Sequence, residues 1–370
     1  MDIADLPTPC LVLDRPALAR NIAAMDRAVR RHGVAFRPHM KTAKSIDVAR
    51  MVFGGQPPDT WRIVVSTLAE AEYFAAHGVG DILYGVAVTP QKLERVLKLN
   101  AAGAAVMVVT DDPATASAIA GMAAPPRALI EIDTGGARAG LSPEDPTLLD
   151  VARRLEGALA GVMTHGGHSY LGRTVADMVR VAETERAGVV RAAERLAAAG
   201  FACGIVSVGS TPTALHAAAL RGVTEVRAGV YMFGDLFQVA VSSGVLADVA
   251  VTVLASVVGR GRDGGVLLDA GGLALSLDRS TAATGDDCGY GLVLDVAGRP
   301  AFGRSRVTQV WQEHAFVALD PAAPAAAWAV GSKVRVAPNH ACMTAAAHDR
   351  YFVTDDGVAV AAVWGRVNGW

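Results

Sequence analysis

The sequence predicts an α/β fold, a (β/α)8 barrel of the TIM type followed by an antiparallel β domain, and three observations predict it. Eight short apolar or β-branched runs recur up to residue 235, at 34–39, 62–66, 81–85, 106–110, 128–133, 159–165, 204–209 and 225–232. Most are separated by Ala-rich segments with helical periodicity. Strand–helix alternation of this kind means a parallel sheet, and eight is the number of strands that closes one into a barrel. After about residue 245 the helical pattern gives way to β-branched runs at 249–258, 265–269, 307–319, 333–337 and 351–364. Without crossover helices between them, such runs pair antiparallel.

Taken in order, the helices between the early runs read as 15–32, 68–77, 90–99, 113–122, 145–155 and 177–199, with a shorter candidate at 212–220. The Gly/Asp-rich stretch 259–265 reads as a hairpin turn and 320–327 as a Pro/Ala connection. The barrel is thereby expected over residues 10–240, and the β domain over 1–9 and 241–370. There is no repeat at solenoid periods and no low-complexity tail.

Composition narrows the function classes. With 370 residues, 52 % of them hydrophobic, the chain buries a large core and is not a disordered protein. Its 34 Lys+Arg against 36 Asp+Glu leave a formal charge of −2. There is no basic run, so neither nucleic acid nor an anionic membrane finds the clustered positive field it needs. The expected partner is a small molecule. The four cysteines, Cys10, Cys203, Cys288 and Cys342, are far apart and form no C-x-x-C pair, which suits a reducing cytoplasm. Residues 1–14 carry three Asp and no basic segment before an apolar run, so they do not read as a signal peptide and the expected compartment is the cytoplasm. The uncharged stretch 196–220 has the length of a membrane span. Gly200, Gly204, Gly209 and Pro212 interrupt it, and Ser207, Ser210, Thr211 and Thr213 bring polar groups into it. It reads as a helix end, a buried strand and a polar loop.

Barrel chemistry lies at the C-terminal ends of the strands, so the residues following each run are the candidates. The first run ends in Arg37-Pro38-His39-Met40-Lys41-Thr42, and the fifth leads into Asp133-Thr134-Gly135-Gly136-Ala137-Arg138-Ala139-Gly140. The sixth ends in Thr164-His165-Gly166-Gly167-His168-Ser169-Tyr170, the seventh in Gly209-Ser210-Thr211-Pro212-Thr213, and the eighth contains Arg227-Ala228-Gly229-Val230-Tyr231. Loops after the last two strands often hold a phosphate, and Gly209, Ser210 and Thr211 would bring free backbone N–H groups and hydroxyls to a helix start. The plainer reading of that triplet is an ordinary helix cap at Thr213. Lys41 is either a salt-bridged rim lysine or a Schiff-base nucleophile activated by desolvation and by neighbouring cations such as Arg37 and Arg138. A lysine, a phosphate cradle and arginines on one barrel rim together suggest pyridoxal phosphate.

With these residues the chain resembles the fold-type III pyridoxal-phosphate enzymes, whose barrel alanine racemase shares. The closer resemblance is to the branch of D-serine dehydratase, D-threo-3-hydroxyaspartate dehydratase and D-threonine aldolase, and it covers nearly the whole chain from Thr8-Pro9-Cys10 onward. The resemblance makes Lys41 the lysine that carries the cofactor. It places Arg138 near the cofactor phenolate, His165 near the pyridine ring and Arg227 opposite the pyridine nitrogen. It gives the phosphate contacts to Gly209, Ser210, Thr211, Gly229, Val230 and Tyr231, and it adds Tyr170 to the cofactor's surroundings. Arg37, Arg138, Arg173 and Arg227 are the cations that could face a second carboxylate on a substrate.

The C-terminal motif Val336-Ala337-Pro338-Asn339-His340-Ala341-Cys342-Met343-Thr344 bears on the subfamily. If the piece is extended, residues two apart share a face, so His340 and Cys342 could hold one metal. Imidazole plus thiolate suits zinc, with manganese or magnesium as alternatives. Taken alone the pair reads as a buried cysteine beside a surface histidine. In the family context it resembles the dehydratases' metal site, where aldolases typically have an aspartate in place of Cys342. A catalytic zinc usually has three protein ligands and the sequence names two. Gln312-Glu313-His314 resembles a dehydratase segment and reads as support for the site or a proton relay, while His348 and Asp349 read as structural or supporting. Trp61, Trp311, Trp328, Trp364 and Trp370 read as packing, His32, His77 and His216 as surface residues, and Cys203 as a core thiol; Cys10 and Cys288 carry no assigned role.

The resemblance implies a metal-assisted dehydratase that converts a D-3-hydroxy amino acid to a 2-oxo acid and ammonia, with Lys41, His340 and Cys342 catalytic. Retro-aldol cleavage to glycine and an aldehyde is the alternative. A racemase would need a second base from a partner's tyrosine, for which no motif is found. A non-catalytic cofactor carrier would not need the extra domain. The resemblance also implies a homodimer whose active sites are shared between subunits.

Overall fold

The computed structural model describes residues 1–261 and 263–370. Two compact units form, one from Met1–Ala23 with Val230–Arg366 and the other from Ala24–Gly229 with 367–370. The divisions thus fall at residues 23/24 and 229/230, whereas the sequence reading placed them at 10 and 240. The physical reason for the first shift is that the apolar strand Cys10–Asp14 has its backbone partners in the β unit, antiparallel to Val251–Arg260 and parallel to Arg350–Thr354.

The barrel unit holds eight parallel strands, Ala35–Pro38, Arg62–Val65, Asp81–Ala87, Ala105–Thr110, Ala128–Glu131, Leu159–Met163, Ile205–Val208 and Glu225–Ala228. Each expected run carries one. The first strand pairs with the eighth, and the bridge between His39 and Val64 joins it to the second, so the sheet closes. Val64, Leu83, Met107, Val109, Leu129, Ala160 and Met163 fill the interior. Each of the Val, Leu and Met side chains contributes roughly 1.5–3 kcal/mol by leaving water.

The helices begin where side chains can replace missing backbone partners. Thr67 accepts from the Glu70 amide before Leu68–Ala76, and Asp112 accepts from the Thr115 amide, with Pro113 opening Pro113–Ala120. Thr174 and Asp177 form a reciprocal capping box at the head of Val175–Ala198. Among the described residues no helix is long and apolar enough to cross a membrane. The uncharged stretch 196–220 divides into the end of that helix, the strand Ile205–Val208 and the helix Thr211–His216. Ile46–Val52 is a helix that the apolar pattern did not announce.

In the β unit, Val251–Arg260 pairs with both Val266–Leu268 and Lys333–Ala337. The order continues through Ala315–Ala318, Arg306–Val310 and Leu292–Leu294 back to Lys333–Ala337, closing a six-stranded antiparallel barrel. The pairing of Cys10–Asp14 with Arg350–Thr354 is the parallel exception. The expected run 307–319 is a hairpin of two strands, and 351–364 divides into Arg350–Thr354 and Ala362–Gly365. The turn expected over 259–265 includes residue 262, which lies outside the described residues. Cys10 packs with Ile3, Leu6, Val12 and Leu254, and Cys288 with Leu236, Leu292, Leu294 and Ala337. Both thiols are structural, and burial pushes that of Cys10 up to about 11. Trp61 and Trp328 are buried, but Trp311 and Trp370 are 53 % and 91 % exposed, so the packing expected of those two is absent within this chain.

Candidate active site

Lys41 lies in the turn that follows the first barrel strand. Hydrogen bonds from Met40 N to Val64 O (2.8 Å) and from Lys44 N to Met40 O (2.7 Å) hold that turn. It contains two lysines with different fates. Lys44 pairs with the buried carboxylate of Glu70 at 3.2 Å. Among the described residues no carboxylate pairs with Lys41. Gly229 packs against the same turn: a Cβ there would stand 3.0 Å from His39 O and 3.2 Å from Thr42 Oγ1.

Two histidines flank Lys41 and both are kept neutral. Burial lowers the pKa of His165 to about 3, helped by the charges of Lys41, Arg138 and Arg227. Burial, then Lys41, Arg227 and His165, hold His39 well below its usual range. Hydrogen bonding fixes which nitrogen carries each proton. His165 Nδ1 is 2.9 Å from Gly209 O, and a carbonyl only accepts, so Nδ1 is protonated and Nε2 is the open lone pair. His39 Nδ1 accepts from the Lys41 amide at 3.4 Å, so its proton is on Nε2, 3.5 Å from Ser66 Oγ.

Gly209 has φ +141°, and a Cβ there would fall 1.9 Å from Arg227 O, so only glycine lets these two strand ends meet. The expectation of free amides here is corrected. Gly209 N donates to Glu185 Oε1 at 2.6 Å, and Ser210 N donates to Thr213 Oγ1 at 3.0 Å. Ser210, not Thr213, is the N-cap of Thr211–His216, and Thr213 returns the bond as its capping-box partner. Glu185 was not foreseen. It is buried on the long helix, and it accepts from Gly209, Thr213 and Gly166, so one carboxylate ties together the loops after the sixth and seventh barrel strands. A lone Glu in an Ala-rich helix, between Thr184 and Arg186, gives no sequence signal of that role.

The four arginines also separate. Arg37 does not neighbour Lys41: its guanidinium turns to the opposite mouth of the barrel, bonding Asp81 Oδ1 at 2.6 Å and Glu225 Oε2 at 2.7 Å, the first residues of their strands. There it lines a cavity of about 270 Å³ with Arg62, Asp81, Arg127 and Glu225. Side chains alternate along a strand, and Arg37 is spent on its own ion pairs. Arg173 donates to Tyr170 O and Gly172 O of its own loop, at 3.1 and 2.7 Å. Arg227 is buried and donates to Ser207 Oγ and Thr164 O, both at 2.6 Å. Arg138 remains, exposed on a loop that Asp133 shapes by accepting from Gly135 N (2.8 Å) and Ala137 N (3.1 Å). Among the described residues no carboxylate pairs with Arg138. Tyr170 is half-buried in the turn Gly167–Leu171, while Val230 and Tyr231 open the buried turn Val230–Met232 of the β unit.

A phosphorylated aldehyde suits the charges around Lys41. Lys41 and Arg138 bring positive charge with no carboxylate ion-paired to either among the described residues, Glu131 acting on Arg138 only at longer range, and neutral His39 and His165 beside Lys41 add none.

In the β unit His340 and Cys342 meet, but not as alternate residues of a strand. His340 is the extended N-cap of the helix Ala341–Ala346 and Cys342 lies in its first turn, so a strand-to-helix corner brings the thiol within hydrogen-bonding reach of the ring. Asp235 holds that corner, accepting from Ala341 N at 3.0 Å and Gln238 N at 2.9 Å. Burial pushes Asp235 up to about 6 despite His340 nearby. Asp278, unforeseen 62 positions upstream, has Oδ2 at 3.5 Å from His340 Nδ1. Burial opposes charge on His340, yet Asp278, Cys342 and Asp235 outweigh it and raise its pKa to about 10. Asp278 itself falls to about 2, because His340 and Ser280 overcome the cost of its burial. Adjacent nitrogen and sulfur donors fit a borderline-soft divalent metal with open positions. Among the described residues no group of three such side chains forms. Gln312, Glu313 and His314 are exposed on the hairpin turn between Arg306–Val310 and Ala315–Ala318, and His348 Nε2 bonds Ala274 O at 3.1 Å.

The alanine racemase N-terminal domain family matches residues 13–236, and a putative serine dehydratase domain matches residues 250–354. The D-threo-3-hydroxyaspartate dehydratase of Delftia sp. (strain HT23) is 43 % identical over 99 % of this chain and 98 % of that protein. A solved structure of that enzyme matches with a TM-score of 0.92 and 42 % identity over 100 % of both chains, and a variant of the enzyme has been solved in a metal-free form. The D-serine dehydratase of Schizosaccharomyces pombe is 31 % identical over 100 % of this chain and 93 % of that protein. The D-threonine aldolase of Arthrobacter sp. is 31 % identical over 98 % and 92 %.

Proposed function

We infer the activity from the family: the chain belongs to the fold-type III pyridoxal-phosphate enzymes, through its alanine racemase N-terminal domain and its serine dehydratase domain. It is a lyase that acts on D-3-hydroxy amino acids, and dehydration is its reaction. Water leaves across Cα and Cβ, and hydrolysis of the resulting enamine gives a 2-oxo acid and ammonia. The observation that carries this reading is Cys342 beside His340, in a chain 43 % identical to a dehydratase along its whole length. D-threo-3-hydroxyaspartate, which would yield oxaloacetate, is the first substrate to offer, and D-serine, which would yield pyruvate, the second.

Pyridoxal phosphate, when bound, supplies the electron sink for charge at Cα. Lys41 would hold it, and the Nζ of Lys41 would be the base that accepts the Cα proton. The absence of a carboxylate partner at Lys41 supports that role, because an ion-paired amine, as Lys44 is, must first give up its partner. His165 keeps a neutral ring beside Lys41 with its orientation set by Gly209 O. A divalent metal held by His340 and Cys342 would supply Lewis acidity toward the β-hydroxyl, and zinc suits these donors, with manganese or magnesium as alternatives. The exposed apolar side chains Leu273, Leu277, Trp311 and Met343 in the β unit support a homodimer.

Retro-aldol cleavage is the second reading, favoured by the Asp278 carboxylate beside His340 and by the aldolase relative. One assay separates the two. Protein loaded with pyridoxal phosphate and Zn²⁺ is offered D-threo-3-hydroxyaspartate, D-serine and D-threonine, and ammonia and glycine are scored together. Ammonia with a 2-oxo acid supports the dehydratase, and glycine with an aldehyde replaces it by an aldolase.

A further inference from the structure

The pairing of His340 with Cys342 leaves open what orients the imidazole. A histidine that ligates a metal through one nitrogen has its ring direction and tautomer set by what the other nitrogen meets. On the reading that His340 and Cys342 hold the metal, we propose that Asp278 is a positioning residue that turns Nδ1 of His340 toward the protein and leaves Nε2 as the nitrogen offered to the metal. The juxtaposition that carries this is Asp278 Oδ2 at 3.5 Å from His340 Nδ1.

The carboxylate is held in place for this role. Ser280 donates to Asp278 Oδ1 twice, from its amide at 2.9 Å and its hydroxyl at 2.6 Å, so Oδ2 is the oxygen left for the ring. The backbone on both sides is bolted together by Asn339, the buried neighbour of His340. Its side-chain amide donates to Asp278 O at 2.9 Å and to Gly289 O at 2.6 Å, and its oxygen accepts from Thr281 Oγ1 at 3.0 Å. On the far side, Asp235 pins the amide of Ala341. The residues before and after His340 are therefore fixed, and the remaining freedom is rotation of its side chain, which Asp278 restricts. A carboxylate beside Nδ1 also makes the imidazole a better donor at Nε2.

The distance admits one competitor. Two donors bound to one tetrahedral zinc lie about 3.4 Å apart, so Asp278 as a third ligand is the outcome that would replace the positioning role. The test is a competition titration of Zn²⁺ against a chromogenic chelator on the cofactor-loaded protein, with Co²⁺ substitution to read the thiolate-to-metal absorption band. Asp278→Asn is expected to keep one metal per chain and an unchanged cobalt band while weakening affinity about 10- to 100-fold. Ser280→Ala, which removes one bond to Oδ1 and leaves the carboxylate, is expected to weaken it about fivefold, the worth of one ordinary hydrogen bond. Affinity equal to the parent in both variants overturns the proposal. A shifted cobalt spectrum in Asp278→Asn, or loss of the bound metal altogether, overturns it in favour of direct ligation. Should Asp278→Asn fail to fold, Ser280→Ala decides alone: weakened affinity with an unchanged cobalt band supports the role, and unchanged affinity overturns it. The underlying assignment fails separately, if His340→Ala and Cys342→Ala both retain the metal.

Discussion

The two mouths of the eight-stranded barrel carry similar charges and use them in opposite ways. At the N-terminal mouth Arg37 is 1 % exposed and locked between Asp81 and Glu225. At the C-terminal mouth, four residues further along the same strand and turn, Lys41 has no carboxylate partner among the described residues, and the histidines beside it stay neutral. One mouth is finished by the protein in that its buried arginine is paired, and the other leaves Lys41 without a carboxylate partner among the described residues. A buried charge must be compensated, so the location of compensation tells structural charge from functional charge.

The largest effect should come from the unfinished mouth. Lys41→Ala is expected to remove the cofactor's lysine-linked absorbance and to lower turnover by about 10²–10⁴-fold, with the urea midpoint nearly unchanged. A retained absorbance band would place the functional charge elsewhere and dissolve the contrast. At the finished mouth the outcome should invert. Arg37→Ala takes the ion-pair partner from the buried Glu225 carboxylate, which keeps its bond from Ser207 Oγ, and should cost about 3 kcal/mol of stability. Urea denaturation reads that loss, and the protein that remains folded should keep its cofactor band.

A pH titration of stability sharpens the account of the neutral histidines. His165 stays unprotonated down to about 3 in the folded chain, whereas an unfolded imidazole takes up its proton near 6.5. Between those values the unfolded chain binds more protons, so stability is lost as pH falls through this window and returns as pH rises. His165→Asn keeps a donor for Gly209 O and removes the titrating ring. Its midpoint temperature in the cofactor-free chain should therefore decline less steeply between pH 6.5 and 3 than that of the parent. An identical slope would mean that His39 alone carries the effect. The smallest change is expected from Arg138→Ala, because the group is exposed. Cofactor affinity measured by fluorescence titration should weaken about fivefold, the scale of one surface ion pair. No change would confine the unfinished charge to Lys41.

Local pattern made much of this molecule legible. All eight barrel strands follow from β-branched runs bounded by glycine and proline, and Lys41 follows from its place after the first of them. The short strand Leu292–Leu294 and the helices Ile46–Val52 and Ala341–Ala346 escaped, being too brief for a period to declare itself. In the β unit the sequence paired His340 with Cys342 but misjudged their geometry, since they converge at a helix start rather than along a strand.

By itself the sequence determined the fold class, the family and the candidates Lys41, Arg138, His165, His340 and Cys342, because strand alternation and catalytic motifs are written in neighbouring residues. Only the tertiary structure decided which charges are spent. Arg37 went to Asp81 and Glu225, the Gly209 amide to Glu185, and Asp278 came to His340 from 62 positions away. Compensation of a buried charge or amide depends on what is close in space, and residues distant in sequence become close only when the barrels shut.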